Sequence, residues 1–399
     1  ALTLLPRLPS YMVAAPAVLT IRVMRRWFLV RLGELAGPRI GHFAANTELY
    51  LCERDAGINL PARRHIDLFC VDQPICNQQL AIMWKRTLRI WPGWIIKPIL
   101  VVNRAIPGGD IHDIGDPASG DRDIHNLLDR LPPHLEFTKE EEECGQAGLR
   151  KLGLPPGAPF VCLIVRDSAY LQAHQAYDLS YHSYRDTDIE DYVLAAEDLA
   201  SRGYYVLRMG ARVRASMGCA HPMVIDYATT DMRTEFMDIY LSARCTFCVS
   251  TGTGLDQVCA IFRRPIVYVN MVPVGYLWTF HTQSIAITKR HYCSHEGREL
   301  SLTEIFDRGV STCLTTACYE ASGVRLVNNS AEEIRDVIVE MSERRRETWC
   351  PQAGDRALQE RFWRCFPTEG VDYAGRRLHG DIRMRIGSSF LRGARDMLS

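Results

Sequence analysis

A turn of five small residues, Ser250-Thr251-Gly252-Thr253-Gly254, has the composition of a ligand-binding loop. It follows an apolar run at 247–249 and precedes a helical pattern at 256–262, after which a second apolar run begins at 266. Strand, glycine turn, helix and strand in this order form a parallel βαβ unit, whose turn lies where open α/β sheets bind ligands. The first backbone N–H groups of a helix have no partner within it, so they can bind phosphate. The pattern therefore predicts a phosphate-binding turn at 250–254.

Polar side chains also follow the other strands predicted in this part of the chain, at 160–165, 204–209 and 224–227. The carboxyl ends of parallel strands meet at one edge of a sheet, so we expect these side chains to surround the glycine turn. Arginine binds phosphate with high geometric specificity, and charged or hydroxyl side chains can bind sugar hydroxyl groups. The residues predicted to bind the ligand are Arg166, Ser168, Tyr184, Arg185, Gly210, Arg212, Tyr227, Ser250, Thr251, Gly252, Thr253 and Gly254.

Each of these segments also has a purely structural interpretation. Arg166 and Asp167 could form an ion pair that closes the end of their strand, and Asp188 could be the N-cap of the helix predicted at 188–201. Asp186 and Asp188 have the spacing of an acidic pair that binds a divalent cation, but two acids this close together are common. The predicted site therefore depends on the convergence of the segments in space.

His42 is the candidate general base. It follows Gly41 at the start of a predicted helix at 42–52, in another strand–loop–helix unit whose strand is predicted at 27–32. A histidine that faces a cleft can accept a proton near neutral pH. A histidine that caps the helix or is simply exposed to solvent is the alternative.

The composition disfavours several classes of protein. Lys+Arg and Asp+Glu are equal at 47 each among 399 residues, which argues against a protein that coats nucleic acid. The 14 cysteines show no disulfide-framework spacing and indicate buried free thiols in a reducing compartment. The motifs of P-loop kinases, NAD enzymes, serine hydrolases and zinc proteases do not occur in the sequence.

The predicted elements divide the chain into four segments. Gly153-Leu154-Pro155-Pro156-Gly157 is the best candidate for a linker, and apolar strands that alternate with helices predict parallel sheets covered on both faces. The predicted fold class is α/β, with two Rossmann-like domains facing a cleft. The segments are a basic amphipathic N-terminal segment (1–26), an N-terminal α/β domain (27–153), a C-terminal α/β domain (158–348) and a tail that packs back across the domains (349–399).

The N-terminal segment has two interpretations. Residues 14–32 are apolar but include Arg22, Arg25 and Arg26, which would share one face of a helix. Such a helix can lie on an anionic membrane surface. The alternative, which we favour, is an ordinary helix packed on the body of the protein. The sequence has no charge-free apolar run of about 18 residues, so we expect no transmembrane helix.

The motifs resemble those of bacterial glycosyltransferases with the GT-B architecture. The turn at 249–255 followed by Arg264-Pro265-Ile266-Val267 is similar to the donor-binding region of heptosyltransferase-type enzymes. A bacterial glycosyltransferase family resembles the chain more closely, strongly over 160–399 and loosely over 27–150. The matching segments lie at 165–170, 184–189, 203–210, 225–228, 237–241, 250–255 and 383–391.

The resemblance implies a transferase that moves a sugar from a nucleotide-sugar donor to an acceptor hydroxyl group. The donor would bind the C-terminal domain, and a glycan, lipid-linked or small-molecule acceptor would enter from the N-terminal domain. The leaving group would be stabilised without a cofactor or divalent metal, and His42 would be the base, with Asp167 and Asp186 in reserve. We expect a cytoplasmic protein without a nucleic-acid partner, and peripheral contact with the inner face of a membrane stays open. The alternatives are a nucleotide-sugar epimerase or hydrolase and a non-catalytic sugar-nucleotide-binding module.

Overall fold

Two parallel β-sheets organise the chain, and the predicted α/β fold class is confirmed. The structure is a computed structural model, and it describes residues 8–115, 120–167, 180–372, 375–394 and 396–398. The strands of these residues are β1 (Leu29–Leu35), β2 (His65–Val71), β3 (Phe160–Ile164), β4 (Tyr205–Met209), β5 (Val224–Ile225), β6 (Phe247–Ser250), β7 (Ile266–Met271), β8 (Ile285–Thr288), β9 (Arg290–Cys293), β10 (Arg298–Glu299), β11 (Val324–Val327) and β12 (Arg385–Ile386). The α-helices are α1 (Leu8–Met24), α2 (Ile40–Asp55), α3 (Gln78–Thr87), α4 (Gly93–Ala105), α5 (Lys139–Lys151), α6 (Val193–Ser201), α7 (Glu235–Arg244), α8 (Asp256–Ile261), α9 (Leu302–Asp307), α10 (Thr316–Ala321), α11 (Ala331–Arg345), α12 (Asp355–Cys365) and α13 (Ser388–Gly393).

Seven strands form the larger sheet, in the order β12-β8-β7-β6-β3-β4-β5, and every neighbouring pair is parallel. From β3 the chain adds β4 and β5 on one side of the sheet, and it then returns to add β6, β7 and β8 on the other side. The neighbouring strands β3 and β6 therefore form the topological switch point. Doubly wound sheets open a crevice for a ligand at this point.

The strand–turn–helix–strand unit predicted at 247–270 is confirmed as β6, α8 and β7. Both strands are buried along their whole length, which explains why their sequences are continuous apolar runs. Gly252 adopts a φ angle of +73°, and this left-handed conformation is strained for residues with a side chain. Glycine at this position allows the chain to turn directly from the buried strand into the helix.

The smaller sheet consists of β1 and β2, which pair in parallel along their full length. Because successive side chains of a strand point to opposite faces, each strand can bury residues on both sides. Val30 and Leu32 pack on one face against α4, and Leu35 packs on the other face against α2 and α3. α1 lies beside α4 on the outside of the first face. This small sheet places the start of α2 at its carboxyl edge.

A continuous apolar layer joins the parts of the chain that contain the two sheets. It combines Phe43 of α2 with Ile239 of α7 and Val258 of α8, all of them fully buried. Arg263 adds a polar contact across the same junction, since its Nη2 donates a hydrogen bond to Glu48 Oε1 at 2.7 Å. A hydrophobic junction of this kind opposes free rotation of one part against the other. The boundaries of the four predicted segments stay a prediction.

The C-terminal residues pack on the larger sheet. β12 adds to its edge beside β8, and α13 packs against α11. Arg122, from the segment before α5, donates hydrogen bonds to the carbonyl oxygens of Leu378 at 2.5 Å and Leu277 at 2.6 Å. One buried guanidinium therefore ties the N-terminal part of the chain to both the larger sheet and the C-terminal residues.

The expectation that Arg22, Arg25 and Arg26 share one face of a helix is wrong. α1 ends at Met24, so Arg25 and Arg26 lie beyond it and share no helical face with Arg22. Arg22 instead donates hydrogen bonds to Asn103 and to backbone carbonyl oxygens at the end of α4. These bonds favour the alternative of a helix packed on the body of the protein. None of the helices in the described residues has the length and apolar character needed to cross a bilayer.

The expectation of buried free thiols is confirmed for the cysteines in apolar segments, whereas Cys144 and Cys350 are exposed. Six cysteines in apolar segments are buried and unpaired, namely Cys52, Cys70, Cys162, Cys245, Cys248 and Cys259. Cys313 and Cys318 form a disulfide across the start of α10, with their Cα atoms 5.6 Å apart.

Candidate functional site

The switch point of the larger sheet brings together two of the segments predicted to bind a ligand. Arg166 follows β3, Thr251 follows β6, and the backbone N–H of Arg166 donates a hydrogen bond to Thr251 Oγ1 at 3.0 Å. The segment with Arg185 also reaches this edge, since Arg185 Nη2 donates to the carbonyl oxygen of Gly252. We refer to residues 166–167, 184–186 and 250–254 as the rim.

The glycine turn is stabilised mainly by its own side chains. Gly252 N–H donates to Ser250 Oγ at 3.1 Å, and Thr253 N–H donates to Asp256 Oδ2 at 2.7 Å. Ser250 Oγ–H donates to the same carboxylate oxygen at 2.6 Å, and burial raises the pKa of Asp256 to about 6. We expected free amide groups here, but two of them already have partners. Anion binding at the rim therefore depends on the neighbouring cations.

Arg166 and Arg185 supply positive charge beside the turn. Arg166 Nε lies 3.2 Å from Asp186 Oδ1, and the side chain of Arg166 is only 14 % exposed. Burial, and then the nearby charge of Arg185, lower the pKa of Arg166, whereas burial raises the pKa of Asp186. The Nε of Arg185 is buried and has no hydrogen-bond partner in the described residues. An anion between the two guanidinium groups would relieve their repulsion and satisfy this donor.

Lys289 lies beneath the rim and is a third cation of the site. Its Nζ donates to the carbonyl oxygens of Tyr184 at 2.8 Å and Asp186 at 3.1 Å, so it holds the segment that carries Arg185. Burial lowers the pKa of Lys289 to about 8. Three carboxylates, those of Asp167, Asp186 and Asp256, lie beside these three cations. The anion-binding character of the rim therefore rests on Arg185, whose buried Nε has no hydrogen-bond partner in the described residues.

Two predicted binding residues have their side chains in the core. Tyr227 is fully buried, and its hydroxyl group donates to Asp238 Oδ1 at 3.3 Å. Tyr184 is 7 % exposed, with its ring centroid 5.4 Å from that of Tyr319. Both rings hold loops in place rather than line an open surface. Asp188 is the N-cap of the short helix at 189–192, as its structural interpretation predicts, and accepts a hydrogen bond from Glu190 N–H at 3.2 Å.

Three of the remaining predicted residues lie beside the cation cluster of the rim without joining it. Gly210 and Arg212 follow β4, and Arg212 is exposed. Asp167 Oδ2 accepts a hydrogen bond from the backbone N–H of Arg214 at 2.9 Å. These three positions form the side of the rim next to β4. Ser168 lies outside the described residues.

The start of α2 lies directly on the glycine turn. A Cβ atom on Gly41 would lie 2.9 Å from the Cα atom of Gly254, so the two backbones touch without room for a side chain. His42 is the next residue, and its side chain is 40 % exposed. Its Nδ1 lies 3.8 Å from Asp121 Oδ2, so a carboxylate faces the ring from beyond hydrogen-bond distance. The structure thus brings the predicted base next to the predicted binding turn.

Three residues that shape the site were missed by the sequence analysis. Lys289 follows β8, and an apolar run that ends in a cation was a usable signal for it. Asp256 had the signal of an acid at the start of a helix. Asp121 had no local signal, because it lies in a long loop whose path depends on tertiary contacts.

One group of potential metal ligands in the described part of the chain lies away from the rim. It consists of Glu48, Cys52 and His134. Arg263 Nη2 donates a hydrogen bond to Glu48 Oε1, so the guanidinium group of Arg263 already supplies the positive charge at this carboxylate. His134 lies between Glu48 Oε1, 3.1 Å from Nδ1, and Asp55 Oδ2, 3.0 Å from Nε2. Burial lowers the pKa of His134, but the bonds to the two carboxylates outweigh it and raise the pKa overall. This group stabilises the junction between the two parts.

Comparisons with known proteins give distant structural likenesses. Neither a protein-family model nor a curated protein sequence matches the chain. A family 9 glycosyltransferase from Veillonella parvula DSM 2008 is 12 % identical, with a TM-score of 0.44, over 79 % of this chain and 97 % of that one. The ADP-heptose lipopolysaccharide heptosyltransferase II of E. coli is 14 % identical, with a TM-score of 0.36, over 65 % of this chain and 90 % of that one. The E. coli heptosyltransferase WaaC is 12 % identical, with a TM-score of 0.31, over 65 % of this chain and 93 % of that one.

Proposed function

We propose that the protein is a glycosyltransferase that moves a sugar from a nucleotide-sugar donor to an acceptor hydroxyl group. The observation that carries this proposal is the cation cluster of the rim. Arg166 and Arg185 lie at the switch point of a doubly wound sheet, Lys289 supports them, and Arg185 Nε has no partner among the described residues. A diphosphate group matches this arrangement, since arginine forks bind phosphate oxygens.

The chemistry assigned to the rim is stabilisation of a leaving group. When the bond between the anomeric carbon and the diphosphate breaks, negative charge grows on the phosphate oxygens. Arg166 and Arg185 are fixed in advance by Asp186 and by the carbonyl oxygen of Gly252, so they need little reorganisation as the charge develops. These cations allow departure of the nucleoside diphosphate without a divalent metal.

The chemistry assigned to His42 is proton removal from the acceptor. The acceptor hydroxyl group forms the new bond to the anomeric carbon, and its proton passes to the imidazole ring. The carboxylate of Asp121 lies 3.8 Å from Nδ1 of this ring. Asp186 is a weaker candidate for the base because it is already paired with Arg166, and Asp167 already accepts a hydrogen bond from the backbone of Arg214.

The test is a panel of nucleotide sugars incubated with the protein, with and without candidate acceptors, and with and without EDTA. We expect release of nucleoside diphosphate that requires an acceptor and persists in EDTA. Release without any acceptor would identify a hydrolase, and a changed sugar on the intact donor would identify an epimerase. Donor binding without turnover under every condition would identify a binding module. Each of these three results would reject the proposed transfer reaction.

Substitution of Arg166 tests where the donor binds. Arg166→Ala removes a charge-assisted contact to phosphate, worth about 1.5–3 kcal/mol, so we expect donor affinity to fall by roughly 10- to 100-fold. The matched control is Arg356→Ala, because Arg356 is 93 % exposed and pairs only with Glu360 on its own helix in the described residues. Unchanged donor affinity in Arg166→Ala would show that the diphosphate does not bind at the rim.

A further inference from the structure

The outer side of α1 is an exposed apolar surface. Its side chains include Met12, Val13, Leu19 and Val23, which are 73 %, 72 %, 65 % and 55 % exposed. The opposite side of the helix is buried on the protein, with Val18 only 1 % exposed. Single exposed apolar residues are common on proteins, but a row of them along one helix marks an interaction surface.

α4 and the residues that follow α1 extend this surface. The two helices pack side by side, and Arg22 bonds to Asn103 and so fixes the end of α1 against the end of α4. Trp27 is 73 % exposed and Trp94 is 77 % exposed. Tryptophan is enriched where proteins meet the interface between lipid and water, because its ring is apolar and its N–H group is polar. We refer to the exposed faces of α1 and α4, with both tryptophans, as the α1–α4 face.

Unpaired positive charge lies at one end of the α1–α4 face. Arg25 and Arg26 follow α1, are exposed, and form no side-chain ion pair with the described residues. The cations of α4 are instead paired, Lys97 with Glu34 and Asp72, and Arg104 with Asp113. Arg25 and Arg26 are therefore the charges of this face that can meet a negatively charged surface.

We propose that the α1–α4 face docks the protein on an anionic lipid bilayer. Its apolar side chains and tryptophans would enter the interfacial region, while Arg25 and Arg26 would contact lipid phosphate groups. A bilayer accounts for the apolar row, the exposed tryptophans and the unpaired Arg25 and Arg26 together. A protein partner would account for the apolar row alone. The proposal does not depend on the proposed enzymatic function.

Sedimentation of the full chain with lipid vesicles tests the proposal. We expect binding to vesicles of phosphatidylcholine mixed with phosphatidylglycerol, weak binding to phosphatidylcholine alone, and loss of binding at high salt. Arg25→Gln with Arg26→Gln should weaken binding about fivefold per arginine, the equivalent of about 1 kcal/mol each. Leu19→Ser with Trp94→Ser should abolish binding at both salt concentrations.

Matched controls separate docking from unfolding and from self-association. Arg356→Gln and Val371→Ser change exposed residues elsewhere, at 93 % and 53 % exposure, and should bind vesicles like the unchanged protein. Thermal melting of each variant should be unaltered, because the changed side chains point away from the core. No binding to anionic vesicles by the unchanged protein would overturn the proposal. So would a dimer in solution that Leu19→Ser with Trp94→Ser dissociates, since a second copy would then cover the face.

Discussion

Gly41→Ala is the substitution that best tests how the two parts of the chain form one site. The new Cβ atom would lie 2.9 Å from the Cα atom of Gly254, which is between about 0.6 and 1.1 Å closer than the optimal separation of two carbon atoms. The position of a Cβ atom is fixed by its own backbone and Gly254 Cα is a backbone atom, so a side-chain rotation cannot relieve the overlap. We expect α2 to move away from the turn at a cost of about 1–3 kcal/mol. Alanine inside a helix would otherwise be stabilising by about 0.5–1 kcal/mol.

The same movement should affect catalysis, because His42 is the next residue in α2. A displacement of about 1 Å in a catalytic group can cost about 100-fold in rate. We therefore expect kcat/KM of Gly41→Ala to fall by roughly 10- to 100-fold, mainly through kcat, while donor affinity changes little. The assays are urea unfolding, donor binding and acceptor-dependent release of nucleoside diphosphate.

Gly393→Ala is the matched control, since a Cβ atom there would meet nothing within 4 Å. This variant should keep the stability and activity of the unchanged protein. If Gly41→Ala matched Gly393→Ala in both stability and rate, the close contact between α2 and the glycine turn would be wrong. Loss of stability with full activity would show instead that His42 has no role in the reaction.

Two further predictions concern pH. The folded-state pKa of His134 is raised above its unfolded value, so its contribution to stability is fully present below about pH 6.5 and is lost as the pH rises through the folded value. Urea unfolding between about pH 6 and pH 9 should show this loss in the unchanged protein but not in His134→Gln, and parallel pH curves would contradict the assigned ion pairs. Burial lowers the pKa of Lys289 to about 8, so donor affinity should fall as the pH rises through about 8, when the lysine loses its charge. Lys289→Met should bind the donor weakly at every pH and lack this dependence, and an unchanged pH profile would show that Lys289 does not support the rim.

Local sequence patterns predict much of the fold. The apolar runs that became β3, β6 and β7 are buried on both faces, and a strand buried in this way must be continuously apolar. Thr138 stands before a run of acids in the sequence, which is typical of a helix N-cap, and it forms a full capping box with Glu141. Such elements are predictable because their signals lie within a few residues of one another.

Other elements depend on partners far away in the chain. The sequence pattern at 78–90 favours a helix over this whole range, but α3 ends at Thr87, because Ile90 forms a bridge with Phe69 of β2. The sequence analysis did not predict β8, although Lys289 of the site directly follows this strand. The sequence around β12 has weak signals, since a two-residue strand exists only through its pairing with β8. Pattern analysis cannot place these elements, because distant contacts determine their ends and their existence.

The candidate site also has some features that follow from local sequence and others that depend on distant contacts. The types of its residues and their positions at strand ends follow from local sequence, because parallel strands must bring their carboxyl ends to one edge. The environment of each side chain does not follow from local sequence. Tyr227 and Tyr184 lie in the core. Asp256 accepts a hydrogen bond from the Thr253 N–H group, which was expected to be free. Only the packing of α2 on the turn, through Gly41 and Gly254, places His42 beside the rim, since that contact joins residues more than 200 positions apart.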